Sequence, residues 1–147
     1  MPDSSLEAVL QALATALSGQ MPADATFKRN VALPSEIPPG GLGILRDGEP
    51  GEPEITMSPL RYEYDHVAEF DIHAGDPLPG ARDATFDALK QAIAPALAAD
   101  RSLGGLAIDV RARAPRALLI KTVDGASEIK AATVPIVVTF VTTDPLT

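Results

Sequence analysis

Cysteine is absent from all 147 residues. Disulfides, thiolate nucleophiles and cysteine metal sites are therefore excluded together, and the chain is suited to a reducing cytosol. Clustered positive charge is also missing. The formal net charge is −8, and no basic block is longer than two residues. Gripping a phosphate backbone regardless of sequence takes clustered Lys and Arg, so that class of nucleic-acid binding is not expected. No apolar run approaches the roughly 20 residues that span a bilayer. The first residues are acidic and polar and do not read as a signal peptide. No Gly-x-Ser-x-Gly elbow, no His-Glu-x-x-His and no supported Ser/His/Asp set occurs, so no enzyme chemistry is expected.

What is present is organised around Leu60 to Arg101. Tyr62, Tyr64, His66, Ala68, Phe70, Ile72 and Ala74 fall on one face of an alternating run. Glu63, Asp65, Val67, Glu69, Asp71 and His73 fall on the other. Period two predicts a strand with one dry and one wet side. After the break Gly75–Gly80, Phe86, Leu89, Ile93 and Leu97 recur at helical spacing. A helix is also predicted over Ser4–Ser18, with Ser4 and Glu7 as a capping box. Its stripe is Leu6, Val9, Leu10, Leu13 and Leu17, and Gly19 is placed to end it in a left-handed turn.

Further strands are predicted over Phe27–Leu33, Leu42–Arg46, Ile55–Ser58, Leu106–Ala114, Ala117–Thr122 and Ala131–Thr142. Asp47-Gly48 and Asp124-Gly125 are hairpin-turn signals. The 14 prolines and 11 glycines concentrate between residues 34 and 59. With Ile55–Ser58 returning on Leu42–Arg46, that segment reads as an extended Pro/Gly-rich hairpin arm with an acidic tip. The core of the last strand, Val134–Val141, is apolar on both faces and calls for cover on both sides. Pro135 is expected near the strand start or on an edge. The fold class expected is α+β: one domain over residues 1–147, a mainly antiparallel sheet and two helices packed on one face.

The chemistry-bearing residues are few. His66 and His73 lie on opposite faces of one strand and cannot share a metal; His66 reads as a core or interface histidine. Gly41-Leu42-Gly43 and Gly104-Gly105 lack the helix and the Lys-Ser/Thr of a phosphate loop, so turn or close packing is the reading. Glu63, Asp65, Glu69 and Asp71 sit about 7 Å apart on one face, too far for neighbours to clamp one ion. They read as a solvated or lumen-facing stripe, with Arg111 and Arg113 as cross-strand partners. Neither a metal nor another cofactor is expected.

Several local patterns give the chain a family resemblance. They are Phe27-Lys28-Arg29-Asn30 after an amphipathic helix, and Ile37-Pro38-Pro39-Gly40-Gly41 through Arg46-Asp47-Gly48-Glu49-Pro50-Gly51-Glu52-Pro53-Glu54. Tyr62-Glu63-Tyr64-Asp65-His66 leads to Arg82-Asp83-Ala84-Thr85-Phe86-Asp87-Ala88-Leu89. Ala99-Asp100-Arg101-Ser102-Leu103-Gly104-Gly105-Leu106 and Lys130-Ala131-Ala132-Thr133-Val134-Pro135 complete the set. In these the chain resembles the tail terminator (tail completion, or neck) proteins of long-tailed bacteriophages, prophages and gene-transfer particles.

The resemblance implies a small structural virion protein, assembled in the host cytoplasm, with no active site and no cofactor. Its copies would form a ring, commonly a hexamer, that caps the tail tube and ends tail growth. The implied partners are other copies, the tail tube protein and the head–tail connector or adaptor proteins. DNA would pass through without specific binding, past acidic side chains of the 63–71 stripe or the Glu49–Glu54 tip. Candidate contacts are Ile37, Leu42, Ile44, Glu49, Glu52, Ile55, Val137 and Val141. The alternatives are another ring-forming neck, adaptor or tube component, or a small soluble enzyme or ligand-binding module. The arm's acidic tip and Pro95, inside the second helix, have no counterpart in the resemblance.

Overall fold

The alternating run from Tyr62 forms the strand it predicts, and that strand occupies the middle of the sheet. The computed structural model describes residues 2–122 and 128–147. In chain order they form α1 (Ser5–Gln20), β1 (Thr26–Arg29), β2 (Leu42–Glu49), β3 (Glu54–Thr56) and β4 (Arg61–Ala74). These are followed by α2 (Pro79–Ala99), β5 (Asp109–Ala112), β6 (Arg116–Thr122) and β7 (Glu128–Thr142). The class is α+β: two helices and a mixed seven-stranded sheet. The Asp124-Gly125 turn signal lies outside the described residues.

β4 and β7 pair antiparallel over thirteen positions, from Tyr62↔Thr142 to Ala74↔Lys130. Shorter strands flank this pair. β2 and β3 follow one another along the outer edge of β4, and β5 and β6 do the same along β7. β1 lies parallel outside β2. Even-numbered side chains of β4 and β7 join one buried cluster with both helical stripes. Phe70, Ile72, Val134, Ile136 and Val138 meet Leu10, Leu13, Leu17, Leu89 and Ile93 there. Tyr64 and Phe140 stack at 5.6 Å, and Phe27 meets Phe70 at 5.9 Å. Gly43 is needed for packing: a Cβ there would stand 2.5 Å from the Phe70 ring.

Pro135 departs from its expected place. It lies mid-way along a central strand, not at a start or an edge. Its carbonyl accepts from Arg113 N at 2.8 Å, so its missing N–H would point to the same edge. That is where β5 gives way to β6, so the missing donor falls in the gap between two short strands.

Other boundaries differ for local reasons. Asp47-Gly48 is not a hairpin turn; it is a bulge inside β2, where Arg46↔Glu69 is followed by Glu49↔Val67. Gly48 has φ 75°, and a Cβ there would fall 1.9 Å from the Val67 carbonyl oxygen. Consequently β3 pairs with β4 and not with β2, so the expected return onto Leu42–Arg46 does not form. β1 ends at Arg29, not Leu33, because Asn30 turns to φ 51°. Gly19 lies within α1, which caps at Met21 in extended backbone. α2 starts inside the expected Pro/Gly break, with Pro79 in its first turn, where the missing N–H costs nothing. It also runs through Pro95 without ending.

Only half of the capping box forms. Ser4 Oγ accepts from Glu7 N at 3.2 Å, but the Glu7 carboxylate turns to Arg29 at 2.8 and 2.9 Å. A bidentate guanidinium is a stronger partner than a neutral N–H. At the other side of the core, buried Arg82 of α2 approaches Glu128 at 3.4 Å. Lys130 meets Asp83 at 3.1 Å and lies over the Phe86 ring. These contacts tie the start of β7 to α2.

Two substitutions test this account by urea denaturation. Leu89→Ala should cost about 2–5 kcal/mol, as expected for a fully buried leucine. A loss below about 0.5 kcal/mol is the range of surface changes and would remove Leu89 from the core. Gly48→Ala should cost roughly 1–3 kcal/mol through its backbone conformation and the clash with Val67. An unchanged midpoint would mean that the bulge does not depend on glycine.

Candidate interface at the sheet edges

The bulge in β2 re-aims Asp47, and a polar network forms around it. Arg29 of β1 donates to Glu7 of α1 and, at 2.9 and 3.3 Å, to Asp47 Oδ1. Asn30 Nδ2 donates to the same oxygen at 2.9 Å, while Asn30 Oδ1 accepts from Asp47 N at 3.1 Å. Buried His66 bonds through Nε2 to the Asp47 carbonyl oxygen. A carbonyl only accepts, so the proton belongs on Nε2. Hydrogen bonding to Arg29 holds the Glu7 carboxyl below the ordinary glutamate value, and the same contact raises Arg29. The arrangement ties a helix to two strands. His66 is the core histidine that its place in the alternation suggests.

The wet face carries the acidic stripe, but its partners differ from those expected. Asp71 accepts from Arg46 at 2.7 Å and from the Thr133 hydroxyl at 2.6 Å. Glu69 pairs with Arg116 at 2.5 Å, and Asp65 accepts from Thr139 at 2.5 Å. Arg111 instead approaches Asp109 and the Thr139 hydroxyl, at 3.4 and 3.3 Å. Arg113 makes no ion pair among the described residues. The expected strand Leu106–Ala114 shortens to β5, which sets both arginines beside β7 and one strand away from β4. Glu63 has no ion pair among the described residues. His73, expected on the wet side, is buried.

The hollows carry little chemistry. A groove of about 440 Å³ between α1 and the end of α2 is lined by Ala12, Ala16, Gly19, Ala96, Ala99 and Leu103, among others. Asp100 borders it, but its oxygens are taken by Ser102 and the Gly104 N–H, which hold its carboxyl low. Among the described residues no group of three His, Asp or Glu side chains is placed to hold a metal ion. No described helix is long and apolar enough to cross a membrane.

The edges are more informative. β5 and β6 bound the sheet beyond β7; β1 and β3 bound it on the other side. Ile108 is 58% exposed, Leu118 57% and Ile120 50%, with Leu106 and Leu119 also exposed. Across the sheet Ile55 is 53% exposed, and Met57 and Leu60 stand open beside it. Two dissimilar edges thus carry apolar side chains that stand exposed among the described residues.

The sequence-predicted contacts divide accordingly. Leu42, Ile44 and Val137, among the expected contacts, are buried within the chain. The cause is local: Leu42 and Ile44 belong to β2, an inner strand, and Val137 lies between Val67 and Arg111. Ile37 is half-buried, where a Cβ on Gly75 would stand 2.9 Å from it. Glu49, Glu52, Ile55 and Val141 are exposed. The reading missed Ile108 and Leu118–Ile120. Their signal was present: Ala117–Ile120 is apolar on both faces, as Val134–Val141 is.

The Glu7–Arg29 pair predicts a pH effect. The folded-state value of Glu7 is depressed, so its contribution exists above the unfolded-state value and is lost as pH falls through the folded one. Glu7→Gln should cost about 0.5–1 kcal/mol at neutral pH, the upper range for a largely solvated pair. The difference should vanish in acid once the wild-type carboxyl is protonated. A gap between the two proteins that persists in acid would show that Glu7 acts through something other than its charge.

No protein-family model matches the chain, and comparison with curated proteins finds no match.

Proposed function

We propose that this chain is a structural subunit of a closed ring of the tail-terminator type. The ring would cap a tail tube, end its growth and meet the head connector, with the tube and connector proteins as partners. The observation that carries this reading is the pair of dissimilar apolar edges on opposite sides of one sheet. A ring contact is heterologous: two different patches of the same chain must meet, and rotation must close. Opposite edges supply two patches facing in the directions that a head-to-tail array requires.

The resemblance carried by Arg82–Leu89, Ala99–Leu106 and Lys130–Pro135 supplies the ring's place at the end of a tail. The net charge of −8 is consistent with a channel that repels DNA phosphate and does not hold it. Of the two Pro/Gly-rich stretches either side of β2, segment 50–53 leads into the β3 edge, where it would reach a neighbour, whereas segment 34–41 lies at the far end of β4, with Ile37 against Gly75.

Electron microscopy of particles containing the chain should show several copies in a ring, six being the expected number, at the head–tail junction. One copy per particle, or a position away from that junction, would overturn the terminator assignment. Tails of unregulated length without this chain would distinguish a terminator from an adaptor, whose loss should leave tail length normal. Deleting Glu49–Glu54 should weaken ring formation; a variant that fails to fold would instead place this segment in the fold itself.

A further inference from the structure

We infer that the β5 edge of one copy meets the β3 edge of the next, with Arg111 and Arg113 of the first facing Glu54 and Glu63 of the second. This rests on the ring reading and specifies its junction. The starting observation is a local conflict. Glu54 lies directly opposite Glu63 in the β3–β4 pairing, and neither has an ion pair among the described residues. Like charges directly opposite on paired strands repel. Arg61 shares their face, yet its guanidinium donates to the Leu60 carbonyl at 2.9 Å. Among the described residues, therefore, the acidic pair at this edge has no cation paired with it.

The opposite edge supplies the complement on the matching face. Arg111 stands opposite Val137, and Arg113 N bonds the Pro135 carbonyl, so alternation places both arginines on the wet side of the sheet. Glu54 and Glu63 are on that same side. Each edge also carries an exposed isoleucine. Ile55 stands opposite Tyr62 on the helix side, and Ile108 lies immediately before β5, where its N–H donates to the Thr139 carbonyl. Continuing the sheet from one copy to the next would thus set arginine against glutamate on the wet face, with exposed isoleucines beside the junction. Both strands have an open edge among the described residues. The arrangement moves Glu54 and Glu63 from the channel wall, where acidic residues were expected, into the subunit contact. Asp65, Glu69 and Asp71 remain on the open face.

Charge reversal tests the pairing. At concentrations where the full-length wild-type chain self-associates by analytical ultracentrifugation, Glu54→Arg and Arg113→Glu should each weaken association about tenfold or more, since each sets like charges together. Circular dichroism should show both variants folded; if one is not, Glu63→Gln and Arg111→Gln provide milder versions of the same measurement. An equimolar mixture of E54R and R113E should assemble, because each variant's altered edge then meets its complement. Such a ring alternates and must contain an even number of copies. Variants that associate like wild type, or a mixture no better than either alone, would overturn this junction and leave the ring reading standing. A wild-type chain that stays monomeric at every concentration and on particles would overturn both.

Discussion

The rest of the structure depends on the long antiparallel pairing of β4 with β7. Its thirteen positions set a single register, and that register decides which side chains are dry. A slip of one residue would send Phe70, Ile72, Ile136 and Val138 to the wet side and Asp65, Glu69 and Asp71 into the core. No such slip is tolerable, because buried carboxylates without cations are costly. The same register sets Thr139 beside Asp65 and Thr133 beside Asp71, where each hydroxyl donates to a carboxylate. Hydrophobic burial on one face and hydrogen bonding on the other thus select the same pairing.

The long pair also explains where the flanking strands stop. Each long strand is served on its outer edge by two short strands in succession. On β7 the changeover falls at Pro135, the one residue of that strand unable to donate. On β4 it falls between Glu63 and Val67, beside the bulge at Gly48. The bulge exposes the Asp47 carbonyl to His66 and swings the Asp47 carboxylate to Arg29, which in turn holds Glu7. One glycine with positive φ therefore links the register of β2 to the anchoring of α1. The cost of placing a histidine in the core is offset by an acceptor that an ideal strand would not present there.

These two devices mark the limit of what the sequence discloses. Period two from Tyr62 to Ala74 and the leucine stripe from Leu6 to Leu17 are local patterns, and both elements form where those patterns place them. Asp47-Gly48 has the same local signature as a hairpin turn. Whether such a pair turns the chain or bulges a strand depends on what lies alongside, here the Val67 carbonyl twenty residues on, roughly. Pro135 is similar: its tolerance in a central strand depends on a gap between two strands that no local window contains. The arginine partners were misassigned for the same reason, since Arg46 and Arg116 reach the acids by tertiary placement. The open edge at Leu118–Ile120 was legible, because a strand apolar on both faces yet flanked by polar residues signals surface that the chain cannot cover alone.

Free edges ordinarily endanger a soluble chain, since any other edge can pair with them, and charges are a common protection. Here one sign is in excess at each edge: Glu49, Glu52, Glu54 and Glu63 outnumber Arg61 around β3, and Arg111, Arg113 and Arg116 outnumber Asp109 along β5 and β6. An edge carrying one sign repels a copy of itself, which disfavours the two-fold pairing of identical edges that would end in a closed dimer. It attracts the edge of opposite sign, which is the head-to-tail arrangement. With mixed charges both arrangements would be open to the exposed isoleucines and leucines beside them. In the proposed ring the apolar side chains would supply area without direction, and the excess charge at each edge would supply the direction.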